Sequence, residues 1–212
     1  MKAALTTLGC KVNHYETEAM RELFLADGWE IVAFTEPADV YVVNTCTVTQ
    51  TSDTKSRQMI ARAHRMNPSA LVVAVGCYAQ VSPETVAALE GVGLVLGTSG
   101  RKDIVPRVHE ALYARTTETY IQPIAQQREF EPFSAVRDSR TRATLKIQDG
   151  CVNFCSYCII PYARGPLRSR PLDEISREVA LLANEGYREI VLTGIHLDRK
   201  STRLNSSHGY IS

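Results

Sequence analysis

Three thiols within the run GCVNFCSYC at residues 150–158, Cys151, Cys155 and Cys158, raise the first chemical question about this chain. Thiolates at C-x3-C-x2-C spacing are soft ligands carried on one loop, and they suit zinc or iron-sulfur chemistry. Three is one short of the four protein ligands that a structural zinc site or a four-iron cluster normally takes. A histidine completing a zinc site is the main competitor. None of the five histidines lies within the few residues where zinc ligands usually pair, and the nearest, His196, is 38 positions beyond Cys158. The alternative is an iron-sulfur cluster with one iron left open.

The other three cysteines, Cys10, Cys46 and Cys77, are too scattered to form a motif, but their contexts agree. TTLGC, VVNTC and VAVGC each place a cysteine one to three residues after an apolar run, at the edge where ligand sites of parallel α/β sheets gather. If the three strands are near neighbours, about 4.8 Å apart per step, their thiols converge on one patch. Gly9 and Gly76 would let the backbone come close to a bulky inorganic group. Three separate buried thiols are the competing reading, since free cysteine is among the most buried residue types.

The elements that would position these groups alternate between short apolar runs and helix-period segments, as in an α/β layer structure with a mostly parallel sheet. Strands are expected at residues 3–8, 40–44, 71–75 and 94–96. Ala19, Met20, Leu23 and Phe24 share a helix face that Gly28 ends; a second helix is expected from about Asp53, and a third from Ser82-Pro83 to Gly91. Residues 116–142 are polar, hold Pro123 and Pro132, and read as a linker after a first domain at 1–115. Order resumes at 143 with a strand at 144–148, the cysteine loop, a helix with Ile175, Val179 and Leu182 on one face, and a strand at 189–194, one βαβ unit.

At 212 residues, 44% hydrophobic and a formal net charge of +1, the chain can bury a core, and any basic surface must be local. Thr6 and Thr7 interrupt the apolar start before it reaches signal-peptide length, and no run approaches the roughly 20 apolar residues of a membrane span. A cytoplasmic protein without membrane contact is expected, where six cysteines are metal ligands or reactive thiols rather than disulfides. Between Arg137 and Arg170, seven cations (Arg137, Arg140, Arg142, Lys146, Arg164, Arg168, Arg170) face Asp138 and Asp149, a local balance of +5. Such a stripe could track RNA phosphates, form a solvated rim, or hold the cysteine loop and the carboxylate of a bound ligand. Gly97 and Gly100 could cradle a phosphate but read more simply as a turn, and Asn13 and His14 either flank the Cys10 site or cap the next helix.

The run GCVNFCSYCIIPYARGPLRSR, with Tyr157 just before the last cysteine, resembles the radical S-adenosylmethionine (SAM) enzymes, and together with LGCKVNHYETEAM, NTCTVT and GCYAQ it resembles the methylthiotransferases among them. The resemblance implies that residues 1–115 form a Rossmann-like domain and 143–198 the start of a radical SAM (β/α) partial barrel. It implies two 4Fe-4S clusters, one on Cys151, Cys155 and Cys158 with SAM on its open iron, and an auxiliary one on Cys10, Cys46 and Cys77. Tyr157 and Gly194 fall where the family meets SAM. The implied partners are tRNA and a low-potential electron donor such as flavodoxin or ferredoxin. The motifs look most like the branch that methylthiolates C2 of N6-threonylcarbamoyladenosine at position 37 of tRNA. The isopentenyladenosine branch, the branch acting on a ribosomal-protein aspartate, and a non-catalytic metal-binding α/β protein are the alternatives. A full barrel takes about 250 residues. The chain is therefore expected to be a truncated fragment, inactive alone, whose residues 199–212 are non-native.

Overall fold

A computed structural model of the chain describes residues 1–114, 116–134 and 141–197. The first unit contains, in order, β1 (Lys2–Thr7), α1 (Lys11–Ala26), β2 (Glu30–Ile31), β3 (Val40–Thr45), α2 (Gln50–Met66), β4 (Leu71–Gly76), α3 (Cys77–Val81), α4 (Pro83–Ala87), β5 (Val92–Leu96), α5 (Ile104–Tyr113) and β6 (Glu118–Tyr120). Its six strands form one parallel sheet in the order β2-β1-β3-β4-β5-β6.

The central strands are unbroken apolar runs because both faces are covered. Val40, Val42, Val73 and Val75 pack with Met20 and Phe24 of α1 and Ile104 and Val108 of α5. The alternate residues Tyr41, Val43, Val72 and Ala74 pack with Ile60 and Ala63 of α2, Tyr78 and Ala79 of α3, and Val86 of α4. The period of two along each strand thus divides one sheet between two helical layers.

The second unit contains β7 (Arg142–Asp149), α6 (Ile160–Arg164), β8 (Arg168–Ser169), α7 (Leu172–Asn184) and β9 (Glu189–Gly194). Here β7 pairs parallel with β9 and antiparallel with the short β8. Among the described residues its core consists of buried Ala143, Leu145 and Leu182, with Ile147, Ile175, Val179, Tyr187 and Ile190 packed around them.

Several elements differ from the sequence expectation. The helix expected from Asp53 starts at Gln50, because Thr49 caps it by accepting a hydrogen bond from the Ser52 amide at 3.1 Å. The helix expected from Ser82-Pro83 to Gly91 is α4, preceded by the separate α3; Pro83, at the first position of α4, has no N–H with which to continue the earlier helix. Within 116–142, β6 adds an edge strand to the first sheet and Phe133 is buried against Tyr15 and Ala19, the Tyr15 hydroxyl donating to the Phe133 carbonyl at 2.8 Å. Arg137, Arg140 and the segment 199–212 lie outside the described residues. Among the described residues no helix is long and apolar enough to cross a membrane.

Candidate metal centres

The sheet order makes β1, β3 and β4 immediate neighbours, and their register aligns the residues that follow them. Thr45 pairs with Gly76, so Cys46 and Cys77 each stand one residue beyond a common rung. Thr7 pairs with Asn44, and Cys10 follows as the N-cap of α1, its backbone extended at φ −90° and ψ 173°. Cys46 and Cys77 are buried and Cys10 is exposed.

Burial pushes the Cys77 thiol up; the Arg164 guanidinium offsets part of that, while Glu16, Cys46 and Cys10 add to it, so the three thiols lie within electrostatic reach of each other. Gly9, at φ 101°, passes so close that a Cβ there would stand 2.7 Å from Cys46 Sγ. Around the thiols, Asn13 Nδ2 donates to the carbonyls of Leu8 at 2.9 Å and Thr45 at 3.1 Å. Cys10 Sγ is 3.8 Å from Asn13 Oδ1. The Ser56 hydroxyl of α2 accepts from the Cys46 amide at 3.3 Å. Asn44 Oδ1 is buried without a hydrogen-bond partner among the described residues.

Among the described residues no group of three or more His, Cys, Asp or Glu draws close enough to hold a single metal ion. Three thiols around a glycine-made space, with a guanidinium acting on one and an unused amide oxygen beside it, instead fit a larger anionic cluster, which is wider than one ion and favours nearby cations.

The second trio rides the loop between β7 and α6. The Cys151 amide donates to the Gly165 carbonyl at 3.0 Å and the Cys158 amide to the Cys155 carbonyl at 2.9 Å, which fixes the two ends of the loop. Cys155 is exposed, whereas Cys151 and Cys158 are half-buried. Gly150 turns the chain into the loop at φ 75°, where a Cβ would collide with the Pro166 carbonyl oxygen. Phe154 takes a left-handed φ of 44° and its ring meets Tyr162 edge-on at 5.6 Å. Tyr157 is 89% exposed.

At the end of β9, Gly194 pairs with Gln148 of β7, and a Cβ on it would lie 2.7 Å from the Gln148 carbonyl oxygen. His196, which sequence distance set aside, brings its Nδ1 to 3.5 Å from Cys151 Sγ. No local signal marks that contact, because it forms only once β9 lies beside β7.

A buried ionic network joins the two units, and sequence reading did not find it. Glu16 of α1 is fully buried and receives Lys146 at 2.6 Å, both Arg164 terminal nitrogens at 2.9 and 3.0 Å, and Arg101. Asp149 takes Lys146 at 2.5 Å, Arg164 at 3.1 Å and Arg168 at 3.8 Å, and Glu131 takes Arg101 at 3.3 Å. Burial pushes the Glu16 carboxyl up, but Arg101, Arg164 and Lys146 outweigh it and hold the group down at about 2. Burial acts likewise on Asp149, and Lys146, Arg164, Arg101 and Arg168 hold it well below the usual carboxylate range. Arg164 also donates to Asn13 Oδ1 at 2.5 Å, so the last residue of α6, the helix that follows the second cysteine loop, touches the shell of the first site. Its Nε has no hydrogen-bond partner among the described residues.

Of the alternatives open for the basic residues of 137–170, this network disfavours RNA tracking and a solvated rim for the four that are buried. Lys146, Arg164, Arg168 and Arg170 are buried and engaged with acids, and Arg142 pairs with Glu189 at 2.9 Å. Gly100 precedes a short 3-10 turn at Arg101–Asp103, Gly97 packs on Gln80, and exposed His14 lines an open cavity of about 500 Å³ with Thr6, Thr7, Cys10 and Lys11.

Comparison with known proteins agrees with this division into two units. The family described as "Uncharacterized protein family UPF0004" matches residues 2–97, and the Radical SAM superfamily matches residues 145–198. "Threonylcarbamoyladenosine tRNA methylthiotransferase MtaB" of Bacillus subtilis (strain 168) is 50% identical over 194 residues, 91% of this chain and 43% of the relative. The protein of the same name from Aquifex aeolicus (strain VF5) is 44% identical over 200 residues, 94% of this chain and 49% of the relative. "tRNA-2-methylthio-N(6)-dimethylallyladenosine synthase" of Thermotoga petrophila is 32% identical over 200 residues, 93% and 44% of the two chains. The chain thus spans less than half the length of these curated relatives. Over more than nine tenths of its length it is similar to tRNA methylthiotransferases, and its residues 145–198 match the Radical SAM superfamily.

Proposed function

We propose that this chain carries the two cluster sites of an enzyme that methylthiolates C2 of N6-threonylcarbamoyladenosine at position 37 of tRNA, taking electrons from a low-potential donor. The observation that carries the proposal is the pairing of three strand-end thiols on adjacent strands with a second trio at C-x3-C-x2-C spacing, tied together through Arg164. Cys10, Cys46 and Cys77 would hold one 4Fe-4S cluster and Cys151, Cys155 and Cys158 the other, with Tyr157 and Gly194 bordering SAM. When bound, these groups supply one-electron cleavage of SAM, removal of a hydrogen from an unactivated carbon, and the sulfur that replaces it.

The chain's own residues supply position and charge. Asn13 fixes the mouth of the first site by bridging Leu8, Thr45 and Arg164, so that Cys10 stays beside the buried pair. Buried Arg164 favours the thiolate form of Cys77 that cluster ligation requires. The two backbone hydrogen bonds of the second loop leave its thiols free of secondary structure, so they can turn toward a common ligand.

Anaerobic reconstitution with iron and sulfide tests the cluster assignment. The expected result is about eight irons and eight sulfides per chain, falling to about half in Cys46→Ala with the second cluster's signal retained. The His196 contact with Cys151 favours one other reading, a zinc site that Cys155 and Cys158 would complete by moving in toward that pair. Zinc without sulfide, lost in His196→Ala, would establish that reading instead. The substrate is tested with the full-length gene product, by mass analysis of nucleosides from tRNA carrying threonylcarbamoyladenosine.

A further inference from the structure

With Lys146, Arg164, Arg168 and Arg170 buried and Arg142 paired with Glu189, an RNA partner calls for another basic surface, and α2 presents one. Thr51, Lys55, Gln58, Arg62 and Arg65 recur at helical spacing and are all exposed, so they form one solvent-facing stripe. Lys55, Arg62 and Arg65 make no hydrogen bond or ion pair among the described residues, in contrast to Arg107 of α5 with Glu110 and Arg177 of α7 with Asp173. Asp53 is the only carboxylate on α2, whereas α7 carries Asp173, Glu174 and Glu178. No large apolar side chain is exposed along α2, so the stripe lacks the anchors of a protein-docking patch.

The helix also lies in a relevant place. Ser56, on its buried side, bonds Cys46, and Arg57 in the same turn donates to the Tyr78 hydroxyl, next to Cys77. From Lys55 to Arg65 the helix rises about 15 Å, room for roughly four nucleotides at about 3.4 Å each along a stacked strand. Two of the three unpaired cations are arginines, whose planar forks suit phosphate oxygens.

We propose that the outer face of α2 binds the sugar-phosphate backbone of RNA along a line leading to the Cys10, Cys46 and Cys77 site. The proposal rests on the reading of the substrate as tRNA. It is tested by titrating the 212-residue chain, anaerobically reconstituted, with tRNA and with an isolated anticodon stem-loop over a range of salt. Combined Lys55→Gln, Arg62→Gln and Arg65→Gln should weaken binding at least about tenfold and lower the slope of log affinity against log salt by about two to three. Arg177→Gln on α7 should change neither.

An unchanged slope in the triple variant, while the parent chain binds, would overturn the proposal and leave tRNA as substrate. An equal loss of affinity for polyglutamate would show a general polyanion surface and overturn the RNA assignment. A parent chain that binds no tRNA would also overturn it, whereas iron and sulfide content judges the cluster reading separately.

Discussion

The two cysteine sites are built in opposite ways. Cys46 and Cys77 end strands whose neighbours are fixed by register and whose faces are covered by helices on both sides, so their positions are set before any ligand arrives. Cys151, Cys155 and Cys158 lie on a loop above a three-stranded sheet with a small core, and that loop is held by two backbone hydrogen bonds and a left-handed Phe154. A preformed site presents its thiols at fixed spacing. A loop site adapts as the ligand binds. The ionic network around Glu16 is what makes the adaptable unit keep station on the rigid one.

Breaking that tie should produce the largest effect. Glu16→Ala leaves Arg101, Arg164 and Lys146 buried without their shared carboxylate, and should destabilise the chain by about 3–5 kcal/mol in urea unfolding. An unchanged midpoint would mean that the two units do not depend on the network. The same carboxylate predicts an acid limb. Its folded value, about 2, lies below the ordinary 4.5, so its contribution is present above about pH 4.5 and is lost as the pH falls toward 2. Glu16→Gln should remove that part of the pH dependence of stability.

Leu182→Ala should cost about 2–4 kcal/mol, because the leucine is fully buried in a core with few neighbours. Its effect should be local: hydrogen exchange should accelerate in β7 and β9 while β3 and β4 keep their protection. If β3 and β4 lost protection equally, the contrast between an independent sheet and a dependent one would be wrong. At the small end, Arg177→Ala removes an ion pair exposed on both sides, and the unfolding midpoint should not move measurably.

What sequence revealed follows from the same contrast. β3, β4 and β5 were legible because burial on both faces makes each largely an apolar run, β1 from its short apolar start at Ala3–Leu5, and α7 because Ile175, Val179 and Leu182 mark one helix face. β2 and β6, of two and three residues, are too short to carry a period. That Cys10, Cys46 and Cys77 follow strands could be read directly; that those strands are neighbours could not, since order in a sheet comes from crossovers. The basic residues left three readings open for a related reason. The carboxylate that buries Arg164 lies 148 positions earlier, on α1, and nothing in the local run of charges indicates it. The contact of His196 with Cys151 spans 45 positions and was hidden in the same way.

The sequence separation of that carboxylate bears on how the chain is made. During synthesis, Glu16 emerges from the ribosome well over a hundred residues before Lys146 and Arg164 are translated, and at about 5–20 residues per second that is a wait of many seconds. Over that interval Arg101 of the first unit can pair with Glu16 Oε2, while Oε1, which Lys146 and Arg164 will take, stays hydrated on what will become an interior surface. Arrival of the later cations seals it, so the first unit can be complete in shape and still refuse a wrong neighbour that brings no positive charge.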